Sequence, residues 1–355
     1  MKAVGIKGGK GPAEGMFIEE VPKPEVKNGQ ALIKVYSFGI NRMDLIQRSS
    51  NYPLPEGASP ILGVEFSGVI EELGQGAESA PNGTSTPGFA VGDKVCGLVP
   101  GGAYAEYVLC DYRTLMKMPY GLSFNEAAAI PENWFTAYQV VKLVGSFQKR
   151  DKVLIHGGAS GIGVAVIQLA QLLGCRRVFA TVGSDSKKQF IKDKLVLHAA
   201  LGDEVVPINY RTEDWEEVIK KYDPKGIQLA IDTVGGDYIP KEMEVLGVDG
   251  RLVIMGLMSG KLSGSISTQQ ILYKRLRIEG TTLRARSPQY QQVLRDFVSE
   301  TILPRVAQGK LRAIVDKVFP LEEVASAHKY MEANSNTGKI IVTVVDIPFD
   351  EAASG

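Results

Sequence analysis

Residues 31–40 (ALIKVYSFGI) alternate apolar and polar side chains, the period of two that marks a strand with one buried face. Residues 66–73, 95–98 and 104–109 predict shorter strands, divided by Gly and Pro. Residues 74–92 are rich in Gly, Pro, Ser and Thr and predict a surface loop. This first stretch therefore predicts a small, mostly antiparallel β domain. Near residue 120 the pattern changes. Ser123 with Glu126 forms a capping box ahead of an apolar run, and residues 134–143 continue at helical spacing. Nearly continuous apolar strands at 153–156, 177–182, 205–208, 229–232, 252–255 and 276–279 follow, with helices at 163–173 and near 187–195. Strands apolar on both faces and separated by helices predict a parallel sheet covered on both sides. The chain closes with helices at 291–301 and 322–331, strands at 314–319 and 339–345, and a tail at 346–355 expected to fray.

The 355 residues are enough for about two domains, and 44% apolar with 23% charged residues is ordinary for a chain with a substantial core. Lys+Arg and Asp+Glu number 40 each, so the positive surplus expected of a nucleic-acid or anionic-membrane binder is missing. No window reaches the roughly 18 apolar residues of a membrane span, and the N-terminus has no apolar leader segment. Three cysteines, an odd number, exclude a disulfide scaffold and predict a reducing, cytoplasmic setting. Asn82-Gly83-Thr84 matches a glycosylation sequon and reads as a turn in the absence of a secretion signal.

The strongest chemical signal is residues 153–174 (VLIHGGASGIGVAVIQLAQLLG), an apolar strand that runs through Gly157, Gly158, Gly161 and Gly163 into an amphipathic helix. Glycines let the backbone turn tightly and approach a pyrophosphate, and the helix start offers it free N–H groups and a positive dipole end. The spacing is G-x-x-G-x-G, and the strand at 177–182 completes the context that the spacing alone lacks. An ordinary βα turn with glycines for packing is the plainer reading. A site for NAD carries Asp or Glu about 20 residues past the turn. Here residues 182–188 read VGSDSKK. Ser184, Lys187 and Lys188 suit a 2′-phosphate and point to NADPH; Asp185 would serve NADH, and the lysines also suit a solvated helix start.

The turn GGASGIG resembles the opening of short-chain dehydrogenases, and Tyr138 with Lys142 matches their Tyr-x-x-x-Lys pair. In that family the turn comes first and the pair follows. Here the order is reversed, and the two residues read as neighbours one turn apart on a helix. Cys96, Cys110, Cys175, His156, His198 and His328 are scattered, without the converging ligand set that zinc requires, and are expected to be packing residues.

A β domain, a nucleotide-binding domain and a C-terminal return together resemble the medium-chain dehydrogenase/reductase superfamily over essentially the whole chain. That resemblance implies an α/β fold: a GroES-like β domain over 1–126, a Rossmann doubly wound parallel-sheet domain over 127–285, and a return to the first domain over 286–355. Where its zinc alcohol dehydrogenases carry Cys, Gly-His-Glu and a later Cys, this chain has Asn41, Gly63-Val64-Glu65 and no Cys in 131–136. The branch it is similar to is the zinc-free quinone oxidoreductases of the zeta-crystallin type. The residues that carry this are 41–48 (NRMDLIQR), Tyr52, 61–65 (ILGVE), 98–102 (LVPGG), 127–132 (AAAIPE), Trp134, Thr136, Ala137, 154–156 (LIH), 256–258 (GLM), 328–334 (HKYMEAN) and 336–339 (NTGK).

By that resemblance Gly183, Ser184, Lys187 and Tyr210 would hold the adenosine phosphate and ribose of NADPH, and Ala159, Ser160, Gly161, Ile162 and Gly163 would line the pyrophosphate. Thr136, Val234, Gly256, Leu257, Met258 and Asn336 would contact the nicotinamide half, and Asn41 and Tyr52 would sit beside nicotinamide and acceptor. The expected reaction is hydride transfer to a quinone or other conjugated carbonyl in a dry cleft between the domains, without metal or flavin. Charge left on such an acceptor is stabilised by its own π system, so a hydrogen-bond donor suffices, whereas the alkoxide of a simple alcohol would want zinc. A homodimer through the strand at 276–279 is expected. A reductase of enone or enoyl double bonds on the same fold and a non-catalytic NADPH-binding protein remain as alternatives. So do plainer roles for Asn41, a helix-capping turn residue, and for Tyr52, core packing.

Overall fold

A computed structural model of the chain describes residues 1–76, 88–197, 204–260, 262 and 264–345. The sequon Asn82-Gly83-Thr84, most of the loop 74–92, His198 and the tail 346–355 lie outside the described residues. In chain order the strands are β1 (Lys2–Ile6), β2 (Met16–Glu20), β3 (Gln30–Ile40), β4 (Glu65–Leu73) and β5 (Lys94–Leu98). Next come β6 (Tyr107–Asp111), β7 (Leu115–Lys117), β8 (Lys152–His156), β9 (Arg177–Val182) and β10 (Glu204–Asn209). The last are β11 (Ile227–Asp232), β12 (Leu246–Ile254), β13 (Arg277–Gly280), β14 (Val315–Pro320) and β15 (Lys339–Thr343). Packing divides the chain into a first unit, Met1–Phe135 with Leu283–Gly355, and a second, Thr136–Thr282.

In the first unit the sheet runs β14-β15-β3-β4-β5-β7, with β6 also paired to β3 and a separate β1–β2 hairpin. All pairs are antiparallel except β14 with β15. The core gathers Ile33, Val35, Phe38 and Ile40 of β3 with Phe66, Ile70, Val95, Tyr104 and Ile340. Strand β3 is buried nearly throughout, including Leu32 and Ser37, and not on alternate residues as its sequence period predicts. The helix Phe124–Ala128 packs against it: Ser37 Oγ donates to Asn125 Oδ1 at 2.7 Å, and Tyr36 stacks on Phe124 at 4.3 Å. That helix starts on the expected capping box, with Glu126 N–H donating to Ser123 Oγ (3.3 Å) and Ser123 N–H to Glu126 Oε2 (3.1 Å). These contacts keep it within the first unit, so the sheet's cover extends past residue 126. Strands β1, β2 and β7 carry too few buried apolar residues for a clear period. The strand expected at 104–109 is displaced, because Ala105 forms a single bridge to Ala3 and pairing resumes only at β6.

The second unit holds a six-stranded sheet in the order β10-β9-β8-β11-β12-β13, parallel throughout. A helix lies in each connection: Gly161–Leu172, Asp185–Lys194, Trp215–Tyr222, Tyr238–Val245 and Thr268–Lys274. Strand order reverses between β8 and β11, the switch point at which doubly wound folds bind dinucleotides. The helix expected over 134–143 is α-helical only over Pro131–Tyr138 and widens into a π turn, Gln139–Val144. That over 291–301 does the same, from Pro288–Phe297 into Val298–Ile302. Among the described residues no helix is long and apolar enough to cross a membrane.

Gly68 on β4 lies so close to β3 that a Cβ there would overlap the Lys34 carbonyl and reach within 2.9 Å of Ile33 Cγ2. Gly68→Ala is expected to destabilise the protein by about 1–3 kcal/mol through forced separation of the two strands, read as a lower urea midpoint.

Candidate active site

Strand β8 ends at His156, and the chain turns through Gly157, whose φ of 72° suits glycine. Gly158 N–H donates to Thr181 O (2.8 Å), and Gly163 N–H donates to Ser160 Oγ (3.1 Å), which caps the helix Gly161–Leu172. A Cβ on Gly163 would overlap the Gly157 carbonyl and lie 2.7 Å from Gly158 Cα; one on Gly158 would press Ala180 Cβ at 2.7 Å. The missing side chains let strand, turn and helix close up. The first N–H groups of the helix have no carbonyl of their own turn to bond, which suits an anion.

The neighbouring turns lock onto this one. Thr233 Oγ1 donates to His156 O (3.2 Å), and Asp232 accepts the N–H groups of Val234 (2.7 Å) and Gly235 (2.9 Å). Ser259 Oγ donates to Val234 O (3.0 Å) and Gly235 O (2.9 Å), and a Cβ on Gly256 would press Thr233 O at 2.7 Å. Leu257 and Met258 are held up on this base, 67% and 59% exposed. Residues 159–163, Gly183, Ser184, Lys187, Tyr210, Val234 and 256–258 thus lie at the C-terminal ends of β8 to β12, along one edge of the sheet. Thr136 is buried in the helix Pro131–Tyr138. Asn336 belongs to the first unit, where its Nδ2 donates to Gly338 O at 2.8 Å.

Beneath the edge, His156 Nδ1 lies 2.9 Å from Thr181 Oγ1, and Nε2 faces Glu242 Oε1 at 3.1 Å. Burial holds the imidazole down to about 4 and pushes the Glu242 carboxyl up to about 8, so at neutral pH two uncharged groups meet rather than an ion pair.

At the far end of the edge, Asn209 pairs with Val182, and Tyr210 N–H donates to Val182 O at 3.0 Å. A Cβ on Gly183 would come within 2.9 Å of the Tyr210 hydroxyl and 3.6 Å of Arg211 Nε. Arg211, which the sequence pattern did not single out, therefore joins Gly183, Ser184, Lys187 and Tyr210; its place directly after Tyr210 was the one signal for it. Ser184 caps the helix Asp185–Lys194 through Lys187 N–H (3.3 Å). Asp185, the competing carboxylate, accepts from Asn209 Nδ2 at 2.9 Å, and Lys188 pairs with Glu213 at 2.5 Å.

In the first unit, Asn41 caps the helix Arg42–Arg48 with its backbone N–H, which donates to Asp44 Oδ2 at 2.7 Å. Its side chain goes elsewhere. Nδ2 donates to Glu65 Oε1 (2.9 Å), and Oδ1 accepts from Lys339 Nζ (2.5 Å). Lys339 also forms an ion pair with Glu65, both side chains nearly sealed from water, and Glu65 Oε2 accepts the backbone N–H of Glu132 at 2.9 Å. Gly39 makes the room: a Cβ there would overlap Glu65 Oε1 and lie 2.6 Å from Lys339 Cε.

A second chain of contacts leads away from Asp44. Tyr104 OH lies 3.2 Å from Asp44 Oδ2 and 3.0 Å from His328 Nε2, and His328 Nδ1 lies 3.0 Å from Arg48, which pairs with Glu332. Arg48 can only donate, so Nδ1 accepts, Nε2–H donates to Tyr104, and Tyr104 donates to Asp44. Burial and then the Arg48 charge hold His328 neutral, down to about 3. Tyr52 is half-buried, with the Arg284 guanidinium 5.4 Å from its ring centroid; Arg284 donates to Pro100 O (2.7 Å) and Gln47 Oε1 (2.8 Å). Burial raises Asp44 to about 6, and burial with the Glu65 charge raises Glu132 to about 8.

Residues 201–342 match the family described as zinc-binding dehydrogenase, and residues 27–120 the alcohol dehydrogenase GroES-like domain. The chain is 30% identical over 342 residues to the synaptic vesicle membrane protein VAT-1 homolog of Danio rerio, covering 93% of this chain and 67% of that protein. The chain belongs to the medium-chain dehydrogenase/reductase family. Its fold is that of the family, a GroES-like β unit with a Rossmann unit. The crystal structure of an NAD-dependent alcohol dehydrogenase matches with a TM-score of 0.79 at 29% identity, covering 97% of this chain and 100% of that one. The Escherichia coli quinone oxidoreductase complexed with NADPH matches with a TM-score of 0.80 at 23% identity over 97% and 99%, a likeness of fold.

The zinc implied by that family description does not fit these residues. Asn41 and Val64, which by the resemblance would stand at zinc-ligand positions, offer no ligand of the usual kind, and Lys339 sets a positive charge against Asn41, which would repel a divalent cation. Among the described residues no group of three His, Cys, Asp or Glu side chains is arranged to hold a metal. Cys96 and Cys110 are fully buried, and burial drives both thiols upward, Cys110 to about 12, so neither is a thiolate.

Lys339→Met should destabilise the protein by about 3–5 kcal/mol, since it strands the buried Glu65 charge. Adding Glu65→Gln should restore at least half of that, because the amide keeps the acceptor for Glu132 N–H. Urea unfolding of the two variants beside the parent checks both statements.

Proposed function

We propose that this protein is an NADPH-dependent, zinc-independent reductase of conjugated carbonyl acceptors, a quinone oxidoreductase of the zeta-crystallin type, similar in its motifs to the p53-inducible quinone oxidoreductase. The observation that carries this reading is the Asn41–Glu65–Lys339 cluster, which by the family resemblance would occupy the place of a zinc dehydrogenase's metal ligands. Without a Lewis acid, the acceptor must stabilise the arriving negative charge through its own conjugation.

The glycine turn fits a pyrophosphate: Gly157, Gly158 and Gly163 clear the approach, and the start of the helix Gly161–Leu172 supplies N–H groups. Ser184, Lys187, Tyr210 and Arg211 beside Gly183 would hold the 2′-phosphate, with Asp185 held by Asn209. Val234, Gly256, Leu257 and Met258 would support the nicotinamide, with Thr136 and Asn336. When bound, the reduced cofactor supplies a hydride. Asn41 and Tyr52 would orient the acceptor, Tyr52 with its hydroxyl and Asn41 with an amide that Glu65 and Lys339 keep from rotating. The same reading makes the protein cytoplasmic and a homodimer, joined through β13, an end strand of its sheet.

Para- and ortho-quinones, an enone and a crotonyl thioester, each offered with NADPH and with NADH, test this. Quinones should turn over fastest and with NADPH; turnover of the enoyl substrates alone would make the protein a double-bond reductase, and tight NADPH binding without oxidation would make it a binding protein. Arg211→Ala should lower the preference for NADPH over NADH about tenfold, the loss of one charge-assisted contact. Sedimentation should give a dimer mass, and a monomer mass would count against the β13 contact.

A further inference from the structure

The imidazole of His156 joins four elements of the second unit. Its Nδ1 lies 2.9 Å from Thr181 Oγ1 of β9, its Nε2 faces Glu242 of the helix Tyr238–Val245 at 3.1 Å, and its carbonyl accepts from Thr233 Oγ1 at 3.2 Å. Thr181 O in turn accepts the N–H of Gly158 at 2.8 Å. One ring thus links the glycine turn after β8 to β9, to the turn after β11 and to the helix that follows that turn. His156 and Glu242 are fully buried, and the rings of Trp215 and Tyr238 stand edge-on to the imidazole, each 4.9 Å away. Nε2 and Glu242 Oε1 touch without aligning as a full hydrogen bond, and Oε2 has no partner among the described residues. Asp232 of β11, bonded to the N–H groups of Val234 and Gly235, acts on His156, and Glu242 acts on Asp232. The phenol of Tyr238, on which Tyr210 acts, also faces this cluster. No lysine or arginine is among the charges acting on His156 or Glu242. A second anion beside Asp232 would meet no counter-charge, so Glu242 keeps its proton at neutral pH.

An uncharged imidazole has one N–H and one bare nitrogen, and a protonated carboxyl has one O–H to give. An O–H buried without an acceptor is costly, and among the described residues Nε2 is the base that Glu242 faces. Glu242 therefore donates to Nε2, and the ring's own proton sits on Nδ1 and points to Thr181 Oγ1. His328 has the opposite order, because Arg48 can only donate to its Nδ1. We propose that Glu242 is a positioning residue for the cofactor: acting through His156, it holds the glycine turn and the turn at 233–235 in register for the dinucleotide. The proposal rests on the reading that these turns hold NADPH. Once Glu242 loses its proton, its carboxylate accepts an N–H from Nε2. The ring's single proton then leaves Nδ1, the bond to Thr181 reverses, and a negative charge stands under an edge that faces phosphates. Burial raises Glu242 to about 8, so the positioning arrangement is present below that value and lost as pH rises through it.

The test follows NADPH affinity by fluorescence titration from about pH 6 to about pH 10 in the parent, Glu242→Gln and Glu242→Leu. Binding to the parent should weaken about tenfold as pH rises through about 8. Glu242→Gln, whose amide N–H still donates to Nε2, should match the parent at neutral pH and stay level above it. Glu242→Leu should bind about tenfold more weakly at every pH. A carboxyl that only filled space would show neither the rescue by Gln nor the pH limb. A second readout needs no cofactor: the chain has three histidines, and nitrogen-15 NMR reports which ring nitrogen of each carries the proton. His156 should carry it on Nδ1 at neutral pH and on Nε2 above about 8, with no such change in Glu242→Gln, while His328 keeps it on Nε2. A His156 protonated on Nε2 at neutral pH overturns the proposal, as does a Glu242→Gln affinity profile that follows the parent's. Parent protein that binds no NADPH at any pH overturns the cofactor reading and the positioning role with it. Tight NADPH binding with no difference between parent and Glu242→Gln sinks the role of Glu242 alone.

Discussion

The ion pair between Lys339 and Glu65 is the constraint on which the first unit is organised. Lys339 reaches from β15 to bind Glu65 on β4 and the Asn41 side chain beside the helix Arg42–Arg48, while Glu65 holds the backbone N–H of Glu132 at the start of another helix. Two strands and two helix starts are thereby fixed around charges that water hardly reaches. A buried pair of this kind gives little net stability compared with apolar packing, but losing one partner is severe, so its geometry is strongly specified. The glycine at position 39 belongs to the same device, since any side chain there would fill the space in which the pair meets.

Much of the fold was legible because its strands are long and apolar. The alternation of strand and helix from 153 onward predicted the parallel sheet, and β9 falls on residues 177–182 as expected. What was not legible follows from weak patterns. In the hairpin β1–β2 only Ala3, Val4, Gly5 and Met16 are buried, β7 has three residues, and the π turns at 139–144 and 298–302 keep a helix-like sequence while changing the backbone. Tertiary packing also overrode a clear period in β3, where Leu32, Ser37 and Gly39 are buried along with the expected face because helix and neighbouring strands cover the sheet there.

The site divides in the same way. The glycine turn was readable because each glycine answers a close approach within a few residues. Tyr210 was joined to Gly183 by family resemblance and by no local pattern; the pairing of β10 with β9 supplies the physical reason, and Arg211 comes with it. The cluster around Asn41 joins residues 41, 44, 65, 132, 284 and 339, and no local pattern links positions so far apart. Burial, moreover, sets proton states that residue type does not reveal: Glu132 and Glu242 are neutral acids, and His156 and His328 are neutral bases, at a pH where composition alone would count the acids as charged.

The first unit is assembled from both ends of the chain, with the second unit inserted as one continuous stretch. During synthesis Asp44, Glu65 and Glu132 emerge 295, 274 and 207 residues before Lys339, the cation that completes their cluster. The inserted unit can fold on the ribosome as soon as it has emerged, whereas the first unit must wait, half-built, for β15. A chain cut short before that strand would keep the whole parallel sheet of the second unit and yet leave the buried Glu65 without Lys339.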